Sequence, residues 1–179
     1  MIVRKLEILA DELRRRGLPV DPILRLLPKA EEKERRGWAV DLKIRRLGPE
    51  MLDFTPYRSE YSWSGGDRWG GSLAVLVLKD GREFEVRPEV TWSTGSGESG
   101  RREGETVAEC MIRCGISPED VAYLLVVSSC GCDWEDIRFT WEAEVYLRPR
   151  VEELKQELEK ALAQLRAEIA ASVEAALGE

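Results

Sequence analysis

Apolar and polar positions along the chain change period several times, and each change marks an element. Ile2, Leu6, Leu9 and Leu13 recur at steps of 4, 3 and 4, which is one face of an amphipathic helix. Arg14, Arg15 and Arg16 follow in its last turn, where cations complement the helix dipole, and Gly17 can supply the residue just past its end. Asp21-Pro22 predicts the N-cap and first residue of a short helix, and Pro28 opens a further turn that ends at Arg36-Gly37. Beyond it the period falls to 2. Trp38, Val40, Leu42 and Ile44 alternate with Ala39, Asp41, Lys43 and Arg45, a strand with one apolar face. Pro56 limits any strand within residues 51–61 to a sheet edge. The Gly-rich residues 64–71 read as a loop.

Residues 73–92 predict a hairpin. Asp80-Gly81 suits a two-residue type I′ turn, which would pair Lys79 with Arg82, Val77 with Phe84 and Val75 with Val86. The first strand is apolar on both sides, so it belongs at the centre of a sheet covered on both faces. Residues 93–105, rich in Gly, Ser, Glu and Arg, read as a mobile connection. Residues 106–114 and 118–127 then predict two short helices around Gly115-Ile116-Ser117, with a buried strand as the rival for the Val-rich 121–127. Ile137, Phe139, Trp141, Ala143, Val145 and Leu147 alternate strictly and predict a strand.

Pro149 opens the longest pattern, with room for a helix of about 45 Å. Val151, Leu154, Leu158, Leu162, Leu165, Ile169, Val173 and Ala176 follow at steps of 3, 4, 4, 3, 4, 4 and 3. This is an 11-residue repeat, whose seam is straight or slightly right-handed. The opposite face carries Glu152, Glu159, Lys160 and Arg166, so the helix needs a surface to cover. Its own sheet and a partner subunit are the two alternatives. In the second, Leu154, Leu158, Leu162, Leu165, Ile169 and Val173 form an oligomer interface.

Together these elements predict an α+β fold: an antiparallel sheet flanked by N-terminal helices and a long C-terminal amphipathic helix. Residues 1–148 form one domain, helical over 1–37 and sheet-containing over 38–148, and residues 149–179 form the C-terminal helix.

Composition narrows the chemistry. The 179 residues include no His and no Asn, and Gln only at 156 and 164. Without His there is no Ser-His or Cys-His dyad, no imidazole base and no imidazole metal ligand, so catalysis is the less favoured class. Few amides and an excess of Arg over Lys fit heat adaptation, through ion pairs that cost less to desolvate when hot. GC-rich coding would leave the same signature. The source expected is a thermophile, or a virus or mobile element of one. The net charge of -7 is unevenly spread, with 13 Lys/Arg against 8 Asp/Glu in residues 1–46 and 14 against 26 in the remainder. The basic third can meet nucleic acid, or pair with the acidic remainder of its own fold. Residues 1–17 lack the apolar stretch of a secretory signal, and no apolar run approaches a membrane span, so the expected location is cytoplasm or virion, without a membrane partner.

Cys110, Cys114, Cys130 and Cys132 stand as Cys-x3-Cys and Cys-Gly-Cys. They fit a zinc site, disulfides between the two segments, or free buried thiols, and the spacing decides among none of these. No other cofactor is indicated. Tyr57, Arg58, Tyr61, Trp63, Arg68 and Trp69 make a candidate contact surface, since aromatics interleaved with Arg can stack on bases or anchor a protein partner. Gly95, Gly97 and Gly100 match a dinucleotide-loop spacing but lack its strand-to-helix setting. Residues 106–125 scan as a helix-turn-helix, yet Glu119 and Asp120 would open the groove-reading helix and repel phosphate. Asp133, Glu135 and Asp136 could meet a cation, without calcium-loop spacing. The class these features favour is a non-catalytic structural or scaffolding protein that forms homo-oligomers through its C-terminal helix. The alternative is a nucleic-acid-binding accessory protein using residues 1–46.

Overall fold

A computed structural model describes residues 1–63, 66–132 and 139–178. The chain divides into a unit of residues Met1–Leu147 and a second of Arg148–Glu179. The first is α+β, with a mostly antiparallel sheet.

Helix α1 (Ile2–Arg15) buries Ile2, Leu6, Leu9, Ala10 and Leu13, the face the spacing selects. Gly17 follows at φ 68°, the left-handed conformation that ends the helix without a Cβ penalty. Two shorter helices come next, α2 (Asp21–Leu24) and α3 (Leu27–Arg35). Asp21 is the first helical residue of α2 rather than its cap, which is Val20 and makes no side-chain cap bond. Strand β1 (Ala39–Arg46) leads through a 3-10 turn at Pro49–Asp53 to β2 (Tyr57–Trp63). Next come β3 (Gly66–Leu78), β4 (Glu83–Glu85), β5 (Glu89–Thr94) and β6 (Ser99–Arg102). Helix α4 (Val107–Cys114) precedes β7 (Val121–Cys132) and β8 (Thr140–Leu147).

The order across the sheet is β1-β8-β7-β3-β2-β5-β6, with β4 also on β3. The pairs β1–β8 and β2–β5 are parallel and the others antiparallel. Strand β3 is central, as its two apolar sides require. One edge pairs with β7 from Arg68 to Leu78, while the other serves β2 over its first half and β4 over its second. Helices α1 to α3 cover one face, over Val77, Tyr123, Leu125, Trp141, Ala143 and Val145. Helix α4 and the 3-10 turn cover the other, over Ala74, Leu76, Leu78, Leu124 and Val126.

Several sequence expectations are corrected here. Residues 66–71 are strand rather than loop, because Gly71 has no side chain where neighbouring backbone comes close. A Cβ there would lie 2.6 Å from the Tyr57 carbonyl oxygen. Strand β2 is interior rather than an edge, since Pro56 precedes it and interrupts no ladder. The hairpin register is one residue off the expected one, with Val77 opposite Glu83 and Leu76 opposite Phe84. Gly81 alone of the turn residues has positive φ, at 91°, so the type I′ turn is excluded. Asp80 instead accepts from the Arg82 amide at 3.0 Å, and the loop holds three residues. Beyond Glu85 the second hairpin strand breaks before Pro88, and β5 departs to pair with β2. Residues 99–102 are strand, closed by a turn with Gly97 at φ 94°, which also accounts for the glycine spacing there. Residues 121–132 are strand, so the helix-turn-helix pattern describes a helix, a turn and a buried strand.

The second unit is α5 (Val151–Leu177), a single 27-residue helix opened by Arg150 as N-cap.

Candidate functional site

The apolar repeat of α5 is one candidate surface. Leu154, Leu158, Leu162, Leu165, Ile169 and Val173 are all between 41% and 60% exposed, with Val151 and Leu177 more so. Three turns per 11 residues set the eight repeat positions within an arc of about 65°. A helix lying on a globular core carries a wider stripe, about 100° or more, whereas a seam between two helices is narrower. Ala176 lies within the stripe and Ala161 borders it, while Ala163, Ala167, Ala171 and Ala175 lie on the far side of the helix.

Five of the six aromatic and Arg positions divide between the faces of the sheet. Tyr57 and Tyr61 alternate with Arg58 along β2, and Arg68 alternates with Trp69 along β3. Cross-strand pairing sets Tyr61 beside Arg68 and Ser59 beside Gly70, on one face. A groove of about 570 Å³ runs there, past Tyr57, Ser59, Tyr61, Arg68, Gly70 and Cys130. Arg58 and Trp69 share the other face, where Arg58 pairs with Glu60 at 2.6 Å. A second groove of about 730 Å³ includes Arg58, Glu60, Trp69, Leu73 and Val127. Trp69 packs with Trp38 and Phe139, at ring separations of 5.8 and 6.4 Å. Trp38 stacks on Phe139 at 4.9 Å and carries Lys33 Nζ over its ring. Trp69 is thereby part of an aromatic cluster, with a neighbour from across the sheet that alternation along one strand cannot reveal. The side chain of Trp63 lies outside the described residues.

Cys110, Cys114 and Cys130 are free. Cys110 is buried in the α4 core, where its Sγ lies 3.7 Å from the Glu85 carbonyl. Burial, then the nearby Glu105 carboxylate and Cys114, push its thiol up to about 12. Such a group acts as a small apolar core side chain. Cys130 is exposed, 2.8 Å from Thr140 Oγ1. It stands four residues beyond Val126, the last β7 residue of the α4-side core, or about 13 Å along the strand. The two cysteine segments are separated for that reason. Among the described residues no group of three or more His, Cys, Asp or Glu side chains converges to hold a metal ion. The Cys132 side chain, and Asp133, Glu135 and Asp136, lie outside the described residues.

The basic N-terminal third is extensively paired. Arg4 meets Glu7, Arg14 meets Asp11 and Arg15 meets Glu12 within α1, while Arg16 meets Glu12 and Arg36 meets Glu32 from the residue just past each helix. Lys5 reaches Asp41 at 2.9 Å, and Arg25 reaches Glu83. Lys43 and Arg45 cross to Glu142 and Glu144 on β8, at 2.7 and 2.6 Å. The acidic remainder of the fold thus supplies part of the counter-charge.

One clamp has no sequence signal. Glu105 accepts from Arg113 Nε at 2.9 Å, from Arg113 Nη2 at 2.5 Å and from the Arg87 amide at 3.0 Å. The Arg113 guanidinium holds the Glu105 carboxyl well below the usual range, at about 2. The clamp ties the start of α4 to the connection between β4 and β5. A spacing of eight residues across a helix cap carries no recognisable pattern.

Among the described residues, no helix is long and apolar enough to cross a membrane. Comparison with protein-family models, with curated proteins and with solved structures finds no match to the chain.

Proposed function

We propose that the protein is a non-catalytic scaffolding component that assembles with further copies of itself through α5. The observation that carries this reading is the narrow, exposed apolar seam of a helix 27 residues long. A seam of about 65° is the width that helix-to-helix packing buries, and it is too narrow for a helix laid on a core. An amphipathic helix without a partner surface is marginal in water, so the sequence of α5 makes sense when it is paired. Each half-exposed Leu or Ile gains about 1 kcal/mol when covered. Six such side chains from each of two helices therefore offer a gross gain on the order of 10 kcal/mol, comparable with the cost of association.

The amide-poor, Arg-rich composition supports a heat-adapted source, a thermophile or its virus or mobile element, with the protein in cytoplasm or virion. The alternative role in nucleic-acid binding draws on residues 1–46, whose basic side chains are largely engaged with carboxylates of the same chain. No observation favours it.

Native mass spectrometry of the full chain and of a variant lacking residues 150–179 tests the proposal. The full chain is expected as a multimer, and the truncated chain as a folded monomer. Equal stoichiometry of the two, with a folded remainder, overturns it.

A further inference from the structure

Charged side chains flank the α5 seam in the same 11-residue period as the seam itself. Lys155 and Arg166 are 11 residues apart, and so are Glu157 and Glu168. At three turns per 11 residues, Lys155 and Arg166 fall on one flank, about 65° from the middle of the seam. Glu157 and Glu168 fall on the other flank, about 98° from it. Glu159 lies outside Lys155, and Arg150 caps the acidic flank at the helix start. Nearest the seam on the acidic flank stand Ala161 and Ser172, side chains short enough for a long cation to pass over. Gln164 Nε2 donates to Glu168 at 3.0 Å, one turn along the helix.

Resting on the reading of α5 as a self-association element, we propose that the assembly unit is a parallel, in-register pair of α5 helices. In a parallel pair with two-fold symmetry, opposite flanks of the two helices meet. Lys155 then faces the partner's Glu157 and Arg166 faces the partner's Glu168. Each match is offset by two residues, about 3 Å along the axis. Two-fold symmetry doubles both contacts. In an antiparallel pair, like flanks meet. Alignment of the same seam then sets Glu157 against the partner's Glu168, twice over, places the two Arg166 residues near one another, and brings each Arg166 beside the partner's Glu159. The apolar seam is close to symmetric end for end and accepts both arrangements. The flank charges supply the discrimination by their balance. In the parallel pair the Lys155 and Arg166 contacts outnumber the repulsion of Glu159 by the partner's Glu157, whereas in the antiparallel pair the attraction of Arg166 to the partner's Glu159 is offset by Glu157 against Glu168. A parallel pair sends both sheet units from the same end of the helix pair.

The test uses the full chain carrying Leu154→Cys and Val173→Cys, oxidised and mapped by peptide mass spectrometry. The parallel pair gives disulfides between like positions, 154 to 154 and 173 to 173 of the two chains. Cross-links between 154 and 173 of different chains overturn the orientation and leave self-association standing. A chain that stays monomeric and forms no intermolecular bond removes the underlying reading as well. A second measurement needs no new thiol. Lys155→Glu with Arg166→Glu is expected to weaken the pair about tenfold or more, because four matched contacts become repulsive. Adding Glu157→Lys and Glu168→Lys swaps the flanks and is expected to restore the affinity. An antiparallel pair also loses affinity on the first double substitution, because its Arg166 lies beside the partner's Glu159, but the flank swap leaves like charges at 157 and the partner's 168 and does not restore it. Failure of the swap to restore the affinity overturns the proposal.

Discussion

Glu105 is the buried charged residue of the described structure, and its three hydrogen bonds join α4 to the β4–β5 connection. Its stabilising effect depends on ionisation. The folded carboxyl titrates near 2, against an ordinary value of 4.5, so folding favours the charged form. Its contribution is therefore fully present above the ordinary value and is lost as pH falls from about 4.5 towards 2. Glu105→Gln keeps the shape and removes the charge. It is expected to cost about 1–2 kcal/mol at pH 7 by urea unfolding, with the difference from wild type shrinking below pH 4.5 and vanishing near pH 2. A difference that is constant with pH would mean that the clamp works through shape alone. Nothing in the sequence announces this pair, because Glu105 and Arg113 look like two of many surface charges. The buried positions of α1 are legible for the opposite reason: Ile2, Leu6, Leu9 and Leu13 depend only on the geometry of one helix.

Elements follow the same division between local and distant causes. Strand β8 is readable because strict alternation over Trp141, Ala143, Val145 and Leu147 has one structural meaning. The parallel partnership of β8 with β1, 101 residues away in register, has no local trace. Strand β7 is ambiguous because it is covered on both faces, and a strand buried on both sides loses its alternation. The hairpin slips by one residue because Asp80-Gly81 serves two loop lengths, and the Asp80 bond to the Arg82 amide selects the longer. Alternation along β2 and β3 also splits the aromatic and Arg positions whose side chains are described between two faces, where the sequence suggested one surface. The α5 seam is legible throughout, since it is a property of one helix. It also makes the prediction that belongs at this scale. Leu162→Lys places a charge in the middle of the seam and is expected to raise the dissociation constant of the full chain at least a hundredfold, measured by sedimentation, because a buried unpaired cation costs several kcal/mol. Gln156→Lys, on the far side of the helix from the seam, is the matched control and is expected to leave the constant within a factor of about three. Equal effects of the two would separate the apolar stripe from assembly.

At the scale of the whole molecule, the two units carry separate spectroscopic labels. All six Trp and all four Tyr fall before residue 147, while α5 has neither. Fluorescence and near-ultraviolet dichroism therefore report the sheet unit, whereas ellipticity at 222 nm weighs α5 heavily through its 27 helical residues. The sheet unit has two cores of its own, one on each face, and needs nothing from α5 to bury them. An α5 without a partner loses the burial that holds it helical and becomes marginal. Dilution should then separate the signals: ellipticity at 222 nm falls as the assembly dissociates, and Trp emission stays constant. On heating, the ellipticity transition of α5 should move to higher temperature as concentration rises, by mass action, while the Trp transition holds its place. The heat adaptation proposed from composition predicts a Trp transition well above the mesophile range of about 45–65 °C. A transition within that range would leave the amide-poor composition to coding bias. Coincident, concentration-independent transitions in both signals would mean that α5 is held by its own chain, and the scaffold reading would fall with the seam that supports it.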